Sequence, residues 1–79
     1  MKFRVQVMPR KEALDPQGRA VLGALERLGF SSLKDCRIGK SILIEVNETD
    51  KAKGHTLVEE MANKLLANKL IETFEVEAL

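Results

Sequence analysis

An α+β fold with the element order βαββαβ is what this sequence predicts, on three observations. Short runs alternate apolar and polar residues with the period of strands, two longer segments repeat their apolar residues at helical spacing, and no segment repeats another. Composition does not break along the 79 residues, so residues 1–79 form a single domain.

The first strand is FRVQV, where Phe3, Val5 and Val7 share one face, Arg4 and Gln6 the other, and Pro9 marks the end. In the first helix Val21, Leu22, Leu25 and Leu28 form the apolar stripe. Gly29 and Phe30 then predict a Schellman stop in which Phe30 reaches back to Leu25. Leu33 to Ile38 and Ser41 to Val46 read as the second and third strands, joined by a tight antiparallel hairpin at Gly39 and Lys40. A polar loop through Asp50 and Gly54 follows. Thr56 and Glu59 match a capping box, and Leu57, Val58, Met61, Ala62, Leu65 and Leu66 give the second helix a broad apolar stripe. Asn68, tolerant of left-handed backbone, closes that helix, and the alternation in FEV marks the last strand.

This order favours a ferredoxin-like antiparallel sheet with two helices on one face. The other face and the free edges are left for a second copy, so the domain is expected to dimerise through the sheet. A chain this short buries only about 60 to 65% of its unfolded surface, which makes association the natural supplement to its core.

Thirteen Lys and Arg against twelve Asp and Glu leave a net charge of +1, which argues against a strongly basic nucleic-acid surface. Stacking of RNA bases on the sheet is equally unsupported, because Phe3, Phe30 and Phe74 are the only aromatic residues and Phe3 and Phe74 are expected to face the helices. A single cysteine, Cys36, points to a reducing, cytoplasmic setting. Nowhere does an apolar run approach the length of a signal peptide core or a membrane span. Asn47 to Thr49 matches a glycosylation acceptor but reads as loop composition in such a setting.

Catalytic chemistry is sought with little return. One histidine, His55, and one cysteine supply no metal-ligand cluster, and the two fall on different elements, which disfavours a nucleophilic pair. IGKS, Ile38 to Ser41, has the ending of a phosphate-binding loop, but Lys34 stands where the first glycine belongs and a strand-like SILIEV follows instead of a helix. Arg10 after the first strand could serve acylphosphatase chemistry, yet the second strand lacks the asparagine which that chemistry needs.

LDPQG, Leu14 to Gly18, is less ordinary. Asp15 suits the N-cap of the first helix and Pro16 its first position, whereas Gly18 sits inside the first turn at a cost of about 1 kcal/mol relative to alanine. Either another backbone or a ligand lies close against Gly18, or the chain's own hairpin crosses there, or the glycine is tolerated at a frayed end.

LDPQGRAV ahead of a helix, RIGK after the second strand, and KLLAN with IE close behind together resemble the PurS family, the small subunit of formylglycinamidine ribonucleotide synthase. The resemblance runs nearly the full length; Cys36 in place of an aliphatic residue and Phe74 in a segment often richer in tyrosine are mild departures. It implies a subunit with no catalytic residue and no bound cofactor or metal of its own, ATP and Mg being used by the synthetase subunit. Its implied partners are the glutaminase subunit, the synthetase subunit and a second copy of itself, with no nucleic acid and no membrane. The best candidates for partner contact are Asp15 and Gly18 at the helix start and Arg37, Gly39 and Lys40 at the hairpin; Arg37 and Lys40 read equally as a solvated turn. A different expectation is a small-molecule-sensing domain, because ferredoxin-like dimers bind ligands between subunits.

Overall fold

A computed structural model describes residues 1–79. Three strands, β1 (Lys2–Pro9), β2 (Lys40–Glu45) and β3 (Glu72–Ala78), form one antiparallel sheet in the order β2-β1-β3. Helix α1 (Pro16–Arg27) follows β1. Helix α2 (Lys51–Met61) precedes β3 and continues into a π-helical turn, Ala62–Leu66. The elements follow the βαββαβ plan except for the strand expected between α1 and β2, and the central strand pairings are in place.

The registers put Phe3, Val5 and Val7 opposite Ile44, Ile42 and Lys40 on one side and opposite Ala78, Val76 and Phe74 on the other. The period of two therefore collects all these side chains on one face, and α2 covers it. Phe3, Val5, Val7, Val58 and Ala62 are fully buried there, with Ile42, Ile44, Met61, Leu66, Phe74 and Val76 packed around them. On the opposite, polar face Arg4 and Glu77 pair at 3.0 Å.

The helix ends differ in how far local chemistry foretold them. α1 stops as its sequence predicts: Gly29 takes a φ of 102°, its N–H bonds the Glu26 carbonyl, and the Phe30 N–H bonds the Leu25 carbonyl. α2 instead begins well ahead of the expected capping box, because the Asp50 carboxylate accepts the Ala52 and Lys53 N–H groups. Thr56 consequently lies inside the helix, where its hydroxyl bonds the Ala52 carbonyl. Glu59, expected to cap, pairs with His55 at 2.8 Å one turn back. At the far end the backbone of Asn68 is not left-handed, and the residue organises the turn into β3.

The largest departure concerns the segment between α1 and β2. Leu33 to Ile38, read as a second strand, joins no ladder, and Gly39 and Lys40 make no hairpin because there is no strand before them to fold back. β2 is left with an unpaired outer edge. Helix α1 contributes no residue to the core and packs extensively on no other element. Leu28 is 74% exposed and Phe30 57%. The radius of gyration is 15.8 Å, where a compact chain of this length has about 12 Å. The accessible surface is 6031 Å², where a compact monomer of this mass has about 4,800 Å².

Candidate functional site

The candidate residues converge on one place, where the loop between β1 and α1 meets the extended segment ahead of β2. Asp15 is the centre. One carboxylate oxygen accepts the Gly18 N–H at 2.9 Å, which is the N-cap bond, and the other accepts the Ile38 N–H at 2.8 Å from a segment distant in sequence. A carboxylate has lone pairs for both tasks, where a serine cap has only one oxygen. The Gly18 and Ile38 amides, with the Arg37 guanidinium adding its charge, hold the Asp15 carboxyl below its ordinary value.

Gly18 is buried, and a β-carbon there would run into the Cys36 carbonyl and the Asp15 carboxylate. The close approach that this glycine permits is thus made by the chain's own backbone. Arg37 locks the same junction from the other side: Nη1 donates to the Ala13 carbonyl and Nη2 to the Arg10 carbonyl, each at 3.0 Å, while Nη2 also meets the Lys11 carbonyl. Its Nε lies 3.7 Å from the Asp35 carboxylate. A planar fork with five donors can serve several carbonyls at once, and no other side chain offers that.

Gly39 presses against the Val7 carbonyl and the Met8 sulfur. Lys40 opens β2 opposite Val7, its carbonyl accepting from Gln6 Nε2 at 3.3 Å and its side chain exposed. Asp15, Gly18 and Arg37 therefore form one fastener, whereas Gly39 and Lys40 belong to the start of the sheet. Sequence reading named the residues but not their bonds to one another. An arginine aimed at backbone carbonyls leaves no pattern in sequence, since every residue carries one.

As chemistry, the junction is a joint in which the Asp15 carboxylate and the Arg37 guanidinium are engaged with backbone groups. Nowhere do three His, Cys, Asp or Glu side chains gather as a metal site. His55 bonds Glu59 and the Val76 carbonyl and stacks edge-on to Phe3, while Cys36 belongs to the junction.

The family model described as PurS, phosphoribosylformylglycinamidine (FGAM) synthase, matches residues 2–79. The chain belongs to the PurS family. The PurS subunit of phosphoribosylformylglycinamidine synthase from Bacillus subtilis is 40% identical over 76 residues, covering 96% of this chain and 89% of that protein. The subunit of the same name from Mycobacterium leprae is 42% identical over 72 residues, with 91% and 87% covered. In the solved structure of PurLQS from Thermotoga maritima, one chain superposes with a TM-score of 0.88 at 33% identity, covering 99% of this chain and 95% of that one. The open shape is therefore shared by that chain. No helix of the chain is long and apolar enough to cross a membrane.

Proposed function

We infer that this chain is the small, non-catalytic subunit of a phosphoribosylformylglycinamidine synthase. It would bridge a glutaminase subunit and a synthetase subunit, so that ammonia released from glutamine reaches the ATP-activated amide of formylglycinamide ribonucleotide. The observation that carries this reading is the PurS match over residues 2–79. A junction whose Asp15 and Arg37 are used in holding it together agrees with an architectural role, and the chain is taken to bind neither ATP nor Mg itself. Cys36, unpaired, suits a cytoplasmic setting. The comparisons favour this subunit reading over a sensing domain.

A homodimer is part of the same reading. The excess of accessible surface over a compact monomer, on the order of 1,200 Å², is what each partner buries in an obligate dimer. The material for such an interface is the apolar face of α1, the unpaired segment Leu33 to Ile38 and the open outer edge of β2. Asp15, Gly18 and Arg37 act in it by holding α1 and that segment in one relative position, with Gly39 and Lys40 at its rim.

The test is glutamine-dependent formation of formylglycinamidine ribonucleotide by the glutaminase and synthetase subunits with and without this chain. Glutamine-dependent activity should require it, and ammonia-dependent activity of the synthetase should not. Equal glutamine-dependent rates in its absence would sink the bridging role.

A further inference from the structure

The stripe Val58, Met61, Ala62, Leu65 would place Leu65 inward, one heptad after the fully buried Val58. The π-helical turn prevents that. Its bond from the Ala67 N–H to the Ala62 carbonyl widens the last turn by one residue, so Leu66 packs on the core and Leu65 is left 83% exposed. Leu70, 87% exposed, and Ile71, 51% exposed, follow immediately.

This display is not fraying. The Asn68 carbonyl accepts the Ile71 and Glu72 N–H groups at 3.0 and 2.7 Å, and its Oδ1 accepts the Leu70 N–H at 3.1 Å. Glu72 in turn accepts the Asn68 N–H at 2.7 Å. Just beyond β1, the Arg10 N–H bonds the Ile71 carbonyl at 2.8 Å and Arg10 Nε bonds the Lys69 carbonyl at 2.9 Å. Together these bonds fix the backbone of the turn that carries the exposed Leu70 and Ile71. A turn so determined gives up little conformational freedom on binding, which is the advantage of a preorganised contact.

Charge says what it fits. Lys64 and Lys69 are exposed beside the leucines and Arg10 backs the turn, while the one carboxylate between Ala62 and Glu72, that of Glu72, is engaged with Asn68. We propose that Leu65, Leu70 and Ile71, rimmed by Lys64 and Lys69, form a docking surface for a partner protein that presents an apolar recess edged by carboxylates. That partner is one of the two larger subunits of the synthase. The proposal rests on the bridging reading and identifies a surface separate from the α1 face assigned to the second copy. Apolar anchors supply the affinity and the lysine rim steers and orients the encounter.

The experiment measures binding of the full chain to each larger subunit, and glutamine- and ammonia-dependent turnover, for the wild type, the pair Leu65→Ser with Leu70→Ser, and the pair Lys64→Glu with Lys69→Glu. With melting temperature and dimer mass unchanged, the leucine pair should weaken binding to one subunit at least about tenfold and lower glutamine-dependent turnover alone. The lysine pair should weaken the same binding in low salt and approach wild-type affinity in high salt. Normal binding by the leucine pair overturns the proposal but leaves the bridging reading intact; a wild type that fails to support glutamine-dependent turnover overturns the bridging reading itself. Dissociation of the dimer by the leucine pair would reassign the patch to a second copy, and leucine-dependent binding to anionic vesicles would reassign it to a membrane. Either result overturns the proposal.

Discussion

The two halves of the molecule use opposite means of cohesion. In the half made of the sheet and α2, apolar side chains from three strands and one helix close on each other, and Phe3, Val5, Val7 and Val58 lose all contact with water. In the half made of α1 and the segment to Gly39, order comes from hydrogen bonds and caps, chiefly Asp15, Arg37 and the Gly29 stop, while Leu28 and Phe30 stay in solvent. Hydrogen bonds contribute about 1 kcal/mol each, against about 1.5 to 3 kcal/mol for burying one large apolar side chain. The first half closes its apolar groups on itself; the second is shaped by polar bonds and leaves its apolar groups open.

The sharpest way to break the contrast is in the first half. Phe3→Ala should cost about 3 to 5 kcal/mol in urea unfolding, because it empties the centre of the only closed core. A cost below about 1 kcal/mol would mean that this core is not the seat of stability.

Next comes the joint. Gly18→Ala drives a methyl group against the Cys36 carbonyl and should destabilise the chain by about 1 to 3 kcal/mol. Gly23→Ala in the same helix meets only the flexible end of Arg27 at 3.5 Å and should stabilise by about 0.5 to 1 kcal/mol. Should both substitutions change stability alike, the asymmetry assigned to the joint would be wrong. Loss of dimer mass in the Gly23 variant would instead place that glycine inside the self-association surface.

Leu28→Lys tests the open face directly. In an isolated chain this exposed position should change stability by no more than about 0.5 kcal/mol, and a cation suits the end of α1. Light scattering should nevertheless show a shift from dimer toward monomer. An unchanged mass would mean that α1 is not what the second copy covers.

The smallest effect is pH-linked. Asp15 has a lower pKa in the fold than its ordinary 3.8, so its contribution is complete above that value and is lost as pH falls through the depressed folded value. Asp15→Asn should therefore be less stable than the wild type at neutral pH, and the difference should shrink below pH ~3. A difference that persisted in acid would point to shape rather than charge.

Much was legible where a single element decides the outcome. The alternation in FRVQV, the Asp15-Pro16 start and the Gly29 stop each depend on residues within one turn or one strand, and each appears as read. Reading failed where two local signals competed. Asp50 captured the start of α2 ahead of Thr56, because its carboxylate reaches two amides and a helix begun earlier makes more bonds. Leu65 leaves the expected apolar stripe for a related reason, since one widened turn rotates everything after it by a residue.

The sequence by itself determined the faces: which side of each strand is apolar, and where α1 starts and stops. Tertiary structure alone decided that Leu33 to Ile38 stays out of the sheet, that Arg37 closes on the carbonyls of the loop before α1, and that Leu65 and Leu70 face water. The physical reason is range. Periodicity and capping act over a few residues and are written in them, whereas a ladder partner, a carbonyl acceptor or a cover for an apolar face must be supplied from elsewhere in space, and α1 finds no such cover within its own chain.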